Sequence, residues 1–201
     1  MLQTILGPVS WERMDRAIEK VKERLHRTAK VLRDAGVPYA VVGGNAVAAW
    51  VSRVDEAAVR NTRDVDILLK RADLTRARAA LEREGFVHRQ VAMLGKGGVM
   101  DIFLDGPDSK VRDAVHILWA GEKVTAESAE VSPDVSAAED AGEFMLIKLP
   151  DLVRMKLTSF RDKDRMHLRD LIEVGLIDET WCGSLSPVLA GRLHELLSNP
   201  E

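Results

Sequence analysis

Cysteine is almost absent from this 201-residue chain: Cys182 stands alone, so no disulfide can form within it. A lone thiol is compatible with a reducing compartment, and a cytoplasmic location is the expectation. Aromatic residues make up only 4%, and nowhere do they interleave with basic residues as a stacking platform for single-stranded nucleic acid would. Trp11, Trp50, Trp119 and Trp181 are scattered and are expected to pack in the core. Charge of one sign is lacking too. The net charge of −3 gives no support to a protein that coats nucleic acid non-specifically, although a local basic patch is compatible with it. No apolar run is long enough to span a bilayer. The opening segment, Met1 to Pro8, lacks the basic start and long apolar stretch of a secretory signal.

What remains is an ordinary globular composition, 46% apolar and 30% charged. The length fits one domain with a real core. Three stretches are expected: a long N-terminal helix within 1–36, a sheet domain over 37–149, and a helical part over 150–201. Ser10 is the expected N-cap of a helix from Trp11 to about Ala35, ended by Gly36 and Pro38. Met14, Ile18, Val21, Leu25, Ala29 and Leu32 give it one apolar stripe. Its other face mixes acids and bases, as a solvated surface does.

Further on, a helix is expected from Arg71 to Glu84, closed by Gly85, with strands at 86–93, 99–104 and 115–119 and a glycine turn at Gly95–Gly98. The Ala-, Glu- and Ser-rich residues 120–142 read as a surface connection. Helices are expected at about 151–160, 164–175 and 186–198. Alternating helices and strands predict an α/β or α+β sheet domain.

The stretch from Pro38 to Leu69 carries the chemistry. Tyr39 to Val42 reads as a buried strand. Gly43 and Gly44 permit a sharp bend and close approach of a ligand, since neither has a Cβ. Asn45 to Val51 reads as a helix whose first turn offers free N–H groups to an anion. Asp64 and Asp66 then alternate along a strand, so they share a face, about 6.6 Å apart. Two such carboxylates can hold a divalent cation for phosphoryl transfer.

Val41-Val42-Gly43-Gly44-Asn45-Ala46 followed by Thr62-Arg63-Asp64-Val65-Asp66-Ile67-Leu68 resembles the signature of nucleotidyltransferases with the DNA polymerase beta-like fold. The details look most like minimal AbiEii-type toxin members. The resemblance covers about residues 36 to 176. It implies an α+β fold with a C-terminal helical part. It also implies Mg²⁺, with Mn²⁺ as the alternative, bound at Asp64 and Asp66, and transfer of a nucleoside monophosphate from a nucleoside triphosphate to a hydroxyl acceptor. RNA, tRNA included, a protein and a small molecule such as an antibiotic all stay open as acceptors. An antitoxin partner follows from the toxin likeness. Many relatives carry Gly-Ser where this chain has Gly43-Gly44.

A third acid is expected from a neighbouring strand. Asp101 is slightly favoured, as base and third metal ligand, over His116, which falls where relatives carry an acid before an Ala-Gly-Glu turn; Asp113 trails both. The segment Lys156…Arg161-Asp-Lys163-Asp164 resembles the C-terminal motif of the same family. The resemblance implies that Lys156 reaches the nucleotide phosphates. Arg161 and Lys163 would do the same or hold the helix junction. Asp164 would orient Lys156 or the nucleotide, and Asp170 would anchor a basic partner. Gly43, Gly44, Asn45 and Thr62 complete the candidate nucleotide site, with Arg60 and Thr62 equally able to shape the turn before the acids. An inactive binding module of the same fold is the rival expectation.

Overall fold

A computed structural model describes residues 10–92 and 99–199. Helix α1 (Trp11–Asp34) leads into strand β1 (Ala40–Val42) and helix α2 (Gly43–Ser52). Strand β2 (Val65–Leu69), helix α3 (Leu74–Arg83) and strands β3 (Val87–Ala92), β4 (Val99–Leu104) and β5 (Ala114–Trp119) follow. The chain continues through β6 (Ala138–Asp140), β7 (Met145–Ile147) and helices α4 (Leu149–Ser159), α5 (Asp162–Glu173) and α6 (Pro187–Ser198). The seven strands form one mixed sheet in the order β3-β4-β5-β2-β1-β7-β6. β2 lies at its centre, antiparallel to β1 and parallel to β5. The expected α+β class is what the fold shows.

Strand alternation divides the core into two layers. Val41, Val65, Ile67, Leu69, Phe103, Val115 and Ile117 face one side, where they pack under α1 and α3. Ala40, Val42, Leu68 and Leu146 face the other, covered by α2 and the three C-terminal helices. Burying both faces explains why the central strands read as continuous apolar runs rather than half-polar ones.

Four expectations need correction. The apolar stripe of α1 is buried only from Val21 onward; Trp11 is 78% and Met14 52% exposed. The helix outruns the sheet beneath it, so Trp11 is not a packing residue. Helix α2 begins at Gly43, two residues earlier than expected. The Arg71 helix begins as a 3-10 turn over Arg71–Asp73 before becoming α-helical.

Residues 120–142 are not merely a connection. They contain the edge strand β6, paired with β7 through a tight turn in which the Gly142 N–H donates to Asp140 Oδ1 at 2.8 Å. An edge strand with one solvated side has the polar composition of a loop, which hid it. The expected glycine turn at 95–98 lies outside the described residues.

Candidate active site

The site forms where β1 ends, α2 begins and the first residues of β2 pass alongside. Gly43 has φ +69°, in the left-handed region. A Cβ there would overlap the Asp66 carboxylate. Gly44 is equally confined, since its Cβ would lie 2.9 Å from both Cβ and Oγ1 of Thr62. The two halves of the motif, 18 to 23 positions apart, thus interlock in space, and the glycines are required by the contact itself. A serine at 44 would collide with Thr62, which gives a local reason for glycine where relatives have a hydroxyl.

The acid loop is clamped from two sides. Asn45 Nδ2 donates to the Asp64 carbonyl at 2.7 Å. From the other layer Arg24 of α1, only 5% exposed, donates to the Arg63 carbonyl at 3.3 Å and to Asp105 at 3.2 Å. Asn45 therefore spends its side-chain amide on positioning Asp64, while its backbone stays in the first turn of α2. Arg24 was missed by sequence reasoning. The signal was available: a single charge inside the buried stripe Val21, Leu25, Thr28.

Asp64 lies one residue ahead of β2. Asp66 sits within it, opposite Val42 on one side and His116 on the other. His116 Nδ1 is 3.5 Å from Asp66 Oδ1, with the two side chains 15% and 17% exposed. Burial alone would raise the Asp66 pKa. The hydrogen bond and charge of His116, with Lys156 and Lys163 behind them, reverse this and hold the carboxyl below its ordinary value. Burial likewise opposes protonation of His116, but Asp66 and Asp64 raise its pKa overall.

Asp101 does not join this group. It is Ile102, not Asp101, that pairs across with His116, so Asp101 points to the opposite face of the sheet. There it is buried and accepts from His88 Nε2 at 2.8 Å and from Gln90 Nε2 at 3.1 Å. As base or third metal ligand it is out of place. His116 takes the strand position beside Asp66, and Asp113 stays in the turn before β5.

On the C-terminal side Lys156 of α4 is buried beneath α5. Its Nζ donates to Asp164 Oδ1 at 3.1 Å and to His167 Nδ1 at 3.0 Å. Burial lowers the Lys156 pKa, while Asp164 and Asp66 oppose the shift. Asp164 is the hub of this junction. It receives Arg161 Nε at 2.7 Å and the Ser159 hydroxyl, and it closes the first turn of α5. Despite burial, these donors depress its pKa strongly.

Arg161 thus holds the helix junction, and Lys163 remains exposed near the acids. Asp170 anchors Arg60 at 2.7 Å, which ties the turn before Asp64 to α5. Arg60 therefore serves the turn. His167 and Ser159 were missed, because a histidine and a serine on helices carry no distinct signal in one sequence.

The residues fit a divalent cation in one specific sense. Among the described residues no three His, Cys, Asp or Glu side chains converge on one point. What is present is an ionised Asp66 with Asp64 ahead of it and an imidazole nitrogen alongside. Cations in phosphoryl-transfer sites commonly take one or two protein carboxylates and complete their shell with substrate phosphates and water.

A sheet of this topology, with a glycine bend against an acid on the adjacent strand, defines a nucleotidyltransferase-type domain. The model of a family described as uncharacterised nucleotidyltransferase matches residues 10–123, and the chain belongs to that family. An antigenic nucleotidyltransferase-like protein from Paracoccidioides brasiliensis shares the fold, with a TM-score of 0.50 and 15% identity over 90% of this chain and 89% of that one. JHP933 from Helicobacter pylori gives a TM-score of 0.44 and 17% identity over 94% and 75% of the two chains. The antibiotic-resistance factor ANT(2'')-Ia gives 0.44 and 16% over 93% and 90%. No curated protein matches the chain.

Proposed function

We propose that the chain transfers a nucleoside monophosphate from a nucleoside triphosphate to an acceptor hydroxyl, with a divalent cation held at Asp64 and Asp66. The observation that carries this reading is the packing of the Asp66 carboxylate against the bare Cα of Gly43. It brings an acid within reach of whatever the N–H groups at the start of α2 bind. Those groups, at the positive end of a ten-residue helix, receive the triphosphate.

When bound, the cation withdraws charge from the α-phosphate and from departing pyrophosphate. The chain's own residues supply the rest. Asn45 and Arg24 fix the backbone of the acid loop, so Asp64 and Asp66 keep their places without rearrangement. Lys156, held by Asp164, adds a positive charge near the acids for the phosphates, and Lys163 adds a second at the surface. The acceptor oxygen forms a bond to the α-phosphorus as the bond to the bridging oxygen breaks. Pyrophosphate and the hydroxyl's proton are released.

The AbiEii likeness rests on the sequence motifs, and it makes RNA the first acceptor to try. The test is incubation of the full chain with each α-³²P nucleoside triphosphate, Mg²⁺ or Mn²⁺, and separately total RNA, cell protein and a panel of aminoglycosides. Label should enter one class with wild type and none with Asp66→Asn. Label entering none of the three in any metal would favour the inert binding module.

A further inference from the structure

We infer that His167 of α5 is a nucleotide-binding residue whose Nε2–H donates to an oxygen of the triphosphate. This rests on the reading of the site as one that binds a nucleoside triphosphate. It adds a neutral donor that neither the sequence motifs nor the glycine bend specify.

The placement comes from α5. Lys163, His167 and Asp170 are spaced four and three residues apart, so they share one face of the helix. Asp170 is bonded to Arg60, which precedes Asp64 in the acid loop. Thr62, between those two, lies against Gly44 in the first turn of α2. The α5 face that carries His167 therefore borders both the acid loop and the helix start that receives phosphate. Along the axis His167 stands about 4.5 Å from Asp170 and about 6 Å from Lys163.

The inner nitrogen of the ring is already occupied. Lys156 Nζ lies 3.0 Å from Nδ1 and 3.1 Å from Asp164 Oδ1. An ammonium only donates, and the buried Asp164 beside it opposes its loss of charge. Nδ1 therefore accepts, and the one proton of the neutral ring sits on Nε2. Burial and the Lys156 charge keep the ring neutral, with its pKa down at about 4. Among the described residues Nε2 has no partner, and the ring is half-buried. A donor fixed in this way loses little freedom when an acceptor arrives.

The surrounding charge selects the acceptor. Lys156 lies beneath the ring, with Lys163 about one turn to one side and Arg60, through Asp170, about one turn to the other. The nearby acids are engaged: Asp164 by Lys156 and Arg161, Asp170 by Arg60. An anionic oxygen suits a donor among three cations, and hydrogen bonds to such an oxygen are the stronger kind.

The test is binding of inorganic tripolyphosphate, with Mg²⁺, to the purified full chain by isothermal titration calorimetry. The probe has no base or sugar, so it reports the phosphate contact alone. An Asn amide reaches only as far as Nδ1 and still accepts from Lys156. A Gln amide reaches the place of Nε2 and still donates outward. We expect His167→Asn to weaken binding at least about ten-fold, the scale of one hydrogen bond to a charged acceptor, and His167→Gln to stay within about three-fold of wild type. In the two-bond ¹H–¹⁵N spectrum of the wild type at neutral pH, His167 should be the Nε2–H tautomer. Its Nε2 resonance should shift when tripolyphosphate is added.

Equal weakening in the two variants overturns the inference, since the ring then acts only through Lys156. So does binding by His167→Asn as tight as wild type, an Nδ1–H ring, or a wild type that does not bind the probe. Should either variant fail to fold, the wild-type spectrum decides. Transfer by a wild type whose Nε2 ignores tripolyphosphate would overturn this inference and leave the proposed function standing. The expected binding pattern with no label entering any acceptor would do the reverse.

Discussion

A methyl group at residue 43 would have nowhere to go. Gly43→Ala combines a left-handed backbone, worth about 1–2 kcal/mol against any other residue, with overlap onto Asp66, for which overpacking costs about 1–3 kcal/mol. The expected loss is about 2–5 kcal/mol by urea denaturation, with cation binding lost alongside. Gly44→Ser should be destabilising alone and partly recovered in combination with Thr62→Gly, because the obstruction is the Thr62 side chain. Asp101→Asn tests the other buried acid. Weakening its bonds to His88 and Gln90 should cost about 1–3 kcal/mol, while Mn²⁺ affinity stays as in wild type. At this scale the glycines, Asp64, Asp66 and Lys156 were legible because their types and order are distinctive. Asp101 against His116 was not, since both lie on strands with apolar neighbours. Only the register between β4 and β5 tells which face each side chain takes.

Among the elements, α1 behaves as two halves. Leu25→Ala, in the buried half, should cost about 2–5 kcal/mol, whereas Trp11→Ala in the exposed half should stay within about 0.5 kcal/mol. Thermal unfolding of the two variants checks this directly. The periodicity located the helix but could not say where its support ends, because the stripe runs through both halves unchanged. The α4–α5 junction was legible as two helices, with their bounds two residues off at most starts. Its internal wiring was not, since Arg161, Ser159 and Lys156 meet at Asp164 through a turn in which Phe160 adopts φ 45°. Lys156→Met leaves Asp164 with Arg161 and Ser159 as partners. Its cost should therefore fall at or below the roughly 3–5 kcal/mol seen when a buried ion pair is broken outright.

For the whole molecule, acid is the condition that exposes the C-terminal layer. Burial, reinforced by the Lys156 charge, pushes His167 down to about 4. The unfolded chain would protonate it near 6.5. Stability contributed by the neutral ring is complete above about pH 6.5 and drains away as pH falls toward 4. The depressed Asp164 adds a loss of the same sign at still lower pH. Urea midpoints measured between pH 7.5 and 4.5 should fall, and His167→Gln should flatten the upper part of that fall. The α+β class was legible from alternating helices and strands. The seven-strand order was not: it depends on β6 and β7, three residues each, too short to announce themselves.

Arg24 reaches through the thickness of the protein, from the outer helix to the peptide that introduces Asp64. A cut between the first helix and the sheet would therefore do more than shed an ornament. It would slacken a guy-wire on the reaction centre and uncover the layer that Val21, Leu25, Ala29 and Leu32 bury, so a fragment starting at residue 37 should lose its cooperative fold together with its grip on metal.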